Sequence, residues 1–199
     1  MTDTSTSASA STELTRDVNG VTLPTTGTFV LDKSHTQVGF VARHLMVSKV
    51  RGRFTDYEGT IVVADDPAAS SVEVTIQAAS INTNDEGRDN HVRTNDFLSV
   101  DEFPTLTFRS TKVDLGSNGD WKVNGDMTVR GVTRPIVLDV EFEGVIQDPW
   151  GNQRLGFTAS GEIDRNDFGV SFNAALETGG FVVSPKVKLE IEAEAVRQA

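Results

Sequence analysis

The chain has no cysteine. That excludes structural disulfides, thiolate nucleophiles and cysteine-ligated metals, and leaves the compartment open. Positive charge is also short: 18 Lys and Arg stand against 29 Asp and Glu, for a net charge of −11. This balance favours solubility and argues against duplex nucleic acid, whose phosphates need a positive face. No apolar run approaches the roughly 20 residues of a transmembrane helix. The stretch from Met1 to about Thr26 is rich in Ser and Thr and has no aromatic residue. It has neither the basic n-region nor the apolar h-region of a secretory signal. We therefore expect residues 1–26 to be a disordered tail on a cytoplasmic protein, with one domain over residues 27–199.

Helical periodicity is scarce as well. What replaces it is alternation with a period of two. Val72, Val74, Ile76 and Ala78 interleave with Glu73, Thr75 and Gln77. Ile136, Leu138, Val140 and Phe142 repeat the pattern, as do Leu155, Phe157 and Ala159, then Val187, Leu189, Ile191 and Ala193. Successive side chains on a strand point to opposite faces, so each stretch predicts a strand with one dry and one wet face. Strands are expected at about 28–32, 36–47, 52–64, 71–80, 105–114, 120–130, 135–146, 153–164 and 185–195. Asn118-Gly119, Gly131 and Trp150-Gly151-Asn152 read as turns between antiparallel neighbours. Gly39, Gly59, Gly125 and Gly161 inside strands favour the sharp bends of a barrel. Many short-turned strands make a sandwich or a barrel, and a barrel of about eight strands can enclose one small ligand. The parities predict an interior lined by Val38, Phe40, Ala42, Leu106, Phe108, Val123, Met127, Ile136, Leu138, Phe142, Leu155 and Phe157.

Two segments break the alternation. Asn82 to Val100 is polar and suits a short helix; Asp164 to Pro185 sets Phe168, Phe172 and Phe181 among glycines. Long connections of this kind often serve binding, so both are candidates for the barrel entrance. His44 shares the parity of Val38, Phe40 and Ala42, which makes it a candidate polar anchor in an apolar pocket or an interior histidine with a local partner. Arg88, His91 and Arg93 form the densest polar cluster, either a solvated loop or an electropositive mouth for an anionic headgroup. Arg43, Lys49, Arg51 and Arg53 form a second basic set with no acid before Asp56. His35, after Asp32-Lys33-Ser34, suits a turn better than a triad, which sequence proximity cannot establish. The three histidines match no short zinc motif, and no Gly-rich phosphate loop follows a strand.

Taken in order, these motifs resemble the YceI-like family of lipocalin-like polyisoprenoid-binding proteins, from about Phe29 to Glu194. The resemblance rests on Phe29 to Thr36, Phe40 to His44, Val50 to Phe54, Arg88 to Phe97, Phe103 to Phe108, Gly125 to Pro135 and Asp164 to Val170. Val92, Leu98 and Pro185 depart from the family's usual residues. The resemblance implies an all-β, eight-stranded antiparallel lipocalin-like barrel with one or two short helices in its loops. It implies a long apolar cavity for an isoprenoid, quinone or fatty amide, does not imply a catalytic residue, and allows a homodimer; no cofactor and no metal are expected. The expected ligand contacts are Val38, Phe40, Ala42, His44, Arg88, His91, Arg93, Phe108, Met127, Leu138, Phe142, Phe157 and Phe168. The role expected is carriage, storage or sequestration of the lipid. Two readings stand beside it: a lipid-modifying enzyme with His44 or His91 as general base, and a structural or stress-related module whose barrel is filled by its own side chains.

Overall fold

In the computed structural model, residues 13–45, 47–116, 120–173 and 182–198 are described. The Asn118-Gly119 turn, Phe181 and residues 1–12 of the expected tail lie outside them. In chain order the strands are β1 (Thr15–Val18), β2 (Val21–Pro24), β3 (Gly27–Leu31), β4 (Gln37–His44), β5 (Ser48–Phe54), β6 (Tyr57–Val63) and β7 (Ser71–Gln77). After the two-residue β8 (Ile81–Asn82) comes α1 (Glu86–Arg93). Then follow β9 (Thr105–Leu115), β10 (Trp121–Val129), β11 (Val132–Gln147), β12 (Gln153–Asp164) and β13 (Val183–Arg197). The alternating stretches of the sequence correspond to these strands, except that the one strand expected at 52–64 is two, β5 and β6, and the polar stretch after Asn82 holds the helix.

Eight strands close into an antiparallel ring in the order β12-β11-β10-β9-β7-β6-β3-β13, sealed by pairing of β12 with β13. β13 runs the height of the wall. Its Ala195–Arg197 portion pairs with β3 and its Val183–Glu192 portion with β4. Above the ring, β4, β5 and β8 continue the lines of β3, β6 and β7. Bulges at Gly125 and between Phe142 and Gly144 shift the register and let the wall curve. Glycine is also needed where rings cross the wall. A Cβ on Gly52 would lie 2.3 Å from the ring of Phe40, its cross-strand partner, and one on Gly125 would lie 2.5 Å from that of Phe108.

The inward parity fills the barrel with apolar side chains. Tyr57, Ile76, Leu106, Phe108, Val113, Val123 and Met127 form one buried cluster, and Phe29, Val63, Leu155 and Ala195 form a second toward the end opposite α1.

One expectation is corrected here. Residues 15–24, assigned to a disordered tail, form the β1–β2 hairpin packed on that opposite end. Leu23 is 1% exposed. Arg16 donates to the carbonyls of Pro24, Ala64 and Asp65, and Gln153 Nε2 donates to the Leu14 carbonyl at 3.2 Å. The hairpin was missed because its strands are four residues long and its anchoring bonds come from distant residues.

Candidate functional site

The barrel holds a cavity of about 220 Å³. A barrel filled by its own side chains would leave voids no larger than about one water, roughly 10–15 Å³ in such a measure, so the filled-barrel reading does not describe this interior. The walls are apolar all round: Leu31, Val38 and Phe40 on one side, Val74, Phe108 and Met127 on the next, Leu138, Phe142, Phe157 and Ile191 beyond. Among the described lining residues only Ser70, Ser71 and the Trp121 indole carry polar side-chain atoms, and none is charged. Ser70 Oγ accepts from the Ala64 amide. Such a cavity stays dry. At about 24 cal/mol per Å³ an empty space of this size costs about 5 kcal/mol of stability, which an apolar occupant would recover.

Of the interior residues expected from strand parity, all but Ala42 line the cavity. Ala42 and His44 do not, because the β4–β5 hairpin outruns the closed wall: β8 reaches β5 only at Arg53 and Phe54. His44 therefore sits beside Ser48 and Val183, past the enclosed space. Phe168 is 2% exposed and belongs to the core, yet it plugs the barrel end and is absent from the cavity lining.

The two irregular segments meet at the α1 end and close it. Phe97 and Leu98 from one segment, and Phe168 and Val170 from the other, pack on the core. The rings of His91, Phe97 and Phe172 contact one another with centroids 5.2–5.3 Å apart. Arg130, in the β10–β11 turn, donates to the carbonyls of both Phe97 and Gly169. Arg165 is buried, and its fork donates to the carbonyls of Val170 (2.5 Å), Phe172 (2.9 Å), Ser184 (3.0 Å) and Val183 (3.1 Å). That burial lowers the guanidinium pKa from its ordinary value. Sequence reasoning passed over Arg165; an arginine directly after a capping Asp, where a strand gives way to a Gly-rich loop, was the available signal.

The residues of the expected cationic mouth lie away from the cavity. Arg88 Nε donates to Thr83 Oγ1 at 2.7 Å and its Nη2 to the Thr83 carbonyl at 2.8 Å. Arg93 donates to the carbonyls of Ala79 and Ile81 and to Asn90 Oδ1. The buried Asp89 accepts from the Thr83 amide and hydroxyl. Both guanidinium groups are thus spent on clipping α1 to the chain before it. His91 pairs with Asp96 at 2.8 Å, outside the cavity. None of the three lines the cavity.

Asp32, Ser34 and His35 do approach one another, where β3 breaks before β4. Ser34 Oγ lies 3.1 Å and Asp32 Oδ2 3.0 Å from His35, but both are on the same nitrogen, Nδ1. A triad needs the two partners on different ring nitrogens, so this is a turn and not a nucleophile with its base. Hydrogen bonds from Ser34, His35 and Arg154 hold the Asp32 carboxyl well below the usual carboxylate range. Asp32, His35 and Glu194 could also offer three donors to a metal. Arg154 already bridges Asp32, Asp148 and Glu194, so the position a cation would take is filled by a guanidinium.

The model of the YceI-like domain matches residues 29–195. The chain belongs to the YceI-like family. The UPF0312 protein SA2479 of Staphylococcus aureus (strain N315) is 41% identical to this YceI-like chain over 171 residues, covering 83% of it and 95% of the relative. The crystal structure of the YCEI protein of Campylobacter jejuni is 37% identical, with a TM-score of 0.68, covering 85% of this chain and 97% of that one. A polyisoprenoid binding domain from Saccharophagus degradans superposes with a TM-score of 0.61 over 87% of this chain. At 16% identity that likeness speaks to the fold alone. The β1–β2 hairpin precedes the residues matched to the family. No helix among the described residues is long and apolar enough to cross a membrane.

Proposed function

We propose that this YceI-like protein binds one long-chain apolar lipid, an isoprenoid or fatty derivative with an uncharged polar end, inside the barrel for carriage or storage. The observation that carries the reading is the barrel cavity of about 220 Å³ whose lining has no charge. Each buried methylene is worth roughly 0.8 kcal/mol. Association costs about 4–15 kcal/mol, so a chain of on the order of five to twenty buried carbons is needed before binding becomes net favourable, and longer chains bind more tightly. The hydroxyls of Ser70 and Ser71, with the Trp121 indole, suit a quinone carbonyl, an alcohol or an amide. A phosphate would meet no cation there, and desolvating it without a partner is costly.

The test is native mass spectrometry of the purified protein with identification of any co-purified lipid, followed by competition between a prenol and the prenyl phosphate of equal chain length. The prenol should win. Preferential binding of the phosphate would overturn the uncharged headgroup, and failure of both to bind would overturn the lipid reading. In the same assay, an Arg88→Ala/Arg93→Ala variant should lose affinity for both ligands equally, because those arginines support α1 and touch no headgroup.

A further inference from the structure

We propose that the β4–β5 hairpin docks the protein on an anionic lipid surface. The register places Arg43 directly opposite Lys49, with Arg51 and Arg53 following on the same outward face. All four are exposed. No ion pair or side-chain hydrogen bond joins Arg43, Lys49 or Arg51 to another of the described residues. Like charges directly opposite on a sheet repel. In a chain with a net charge of −11, the stretch from Arg43 to Arg53 contains no acid at all, so the cation band runs against the sign of the whole molecule. A face built of mutually repelling cations is stabilised by an anionic partner.

The tip of the hairpin decides what kind of partner. Leu45 is 37% exposed and Val47 82% exposed. Leu45 has a φ of +51°, a left-handed backbone that leucine adopts at a cost and that glycine or asparagine would take readily. The turn thus holds a large apolar side chain out to solvent in a conformation that disfavours it. Aliphatic groups at a tip with a face of Lys and Arg behind them match the layering of a membrane surface, where apolar side chains enter the headgroup boundary and cations meet the phosphates. A polyanion such as duplex DNA has use for the cations and none for Leu45 and Val47. The hairpin also extends past the closed wall, and β5 has no described strand partner beyond Arg53 on its outer edge, so nothing described in the ring stands between this tip and a flat surface. The inference is independent of what fills the cavity.

The experiment is vesicle flotation of the full chain with phosphatidylglycerol–phosphatidylcholine vesicles and with phosphatidylcholine alone. The wild type should bind the anionic vesicles preferentially. A cation near such a surface contributes about fivefold, so an Arg43→Gln/Lys49→Gln/Arg51→Gln variant should partition on the order of a hundredfold more weakly. A Leu45→Asn/Val47→Ser variant should also lose vesicle binding while its melting temperature holds or rises, because asparagine suits the left-handed position. Retained melting temperature and prenol binding in both variants separate a docking defect from a folding or cavity defect. Equal binding of the wild type to both vesicle types would overturn the proposal. So would vesicle binding by the triple variant at the wild-type level with aggregation, which would make the cations protectors of the β5 edge. Binding of duplex DNA that ignores Leu45→Asn/Val47→Ser would overturn it in favour of a polyanion site.

Discussion

Replacing Ala159 with leucine should push stability and ligand affinity in opposite directions. Ala159 is buried on β12 between Val140 of β11 and Ile191 of β13, and it lines the cavity. Leucine adds three carbons to a space with no filling atoms, worth about 2.4 kcal/mol at 0.8 kcal/mol each. Ordering the new side chain returns about 0.5–1 kcal/mol of that. The delipidated variant should be more stable by about 1.5–2 kcal/mol, a rise in melting temperature of about 3–8 °C for a chain of this size. The same three carbons are denied to the ligand, so affinity should fall about fiftyfold. Differential scanning calorimetry of the delipidated protein and titration with a fluorescent prenol analogue read the two effects. Ala193→Leu, on the neighbouring strand, guards against a clash peculiar to one site. If both variants melt lower and bind unchanged, the space is well packed and is not where the lipid goes.

Arg165→Met should destabilise the fold by about 2–4 kcal/mol in urea titration, because four carbonyls lose a charged donor. Starting the chain at Thr25 should lower the melting temperature by several degrees. It removes the buried Leu23 side chain, worth about 1.5–3 kcal/mol, and the Arg16 hydrogen bonds to Ala64 and Asp65. Hydrogen bonding to Asp32, aided by the nearby Glu194 charge, raises the His35 pKa above its ordinary 6.5. Its contribution is therefore complete below pH 6.5 and lost as pH rises through the raised value, so the urea midpoint should drift down into the alkaline range and His35→Gln should flatten that drift. The lowered Asp32 carboxyl acts in the reverse sense. Its contribution is present above the ordinary 3.8 and lost as pH falls toward the lowered value, and Asp32→Asn should flatten that acid limb.

The wall of the barrel was legible because alternation is a local property: each of Ile136, Leu138, Val140 and Phe142 declares its face by position alone. The lining of the cavity, Ala42 apart, followed from the same parity. What escaped were features set by partners far along the chain. Arg88 and Arg93 look alike in sequence whether they greet a phosphate or clip a helix, and only the carbonyls of Thr83, Ala79 and Ile81 decide between the two. His44 obeyed its parity but lay beyond the closed ring, and the height of a ring depends on where neighbouring strands stop. The β1–β2 hairpin owes its order to Ala64, Asp65 and Gln153, which no window around residue 20 contains.

The seam of the barrel has a consequence for how the protein comes to be made. β13 is the strand nearest the C-terminus, and it is bonded to β12 on one side and to β3 and β4 on the other. Leu31 waits for Ala195, and His44 for Val183. At about 5–20 residues per second of synthesis, roughly ten to thirty seconds separate the appearance of the first edge from that of its partner. Until then β12 and β3 each lack the strand that covers one edge, and unpaired edges are what other chains pair with most readily. Closure waits for β13, and the long sequence separation across the seam makes it slow. Until β13 has been made, this protein has no inside.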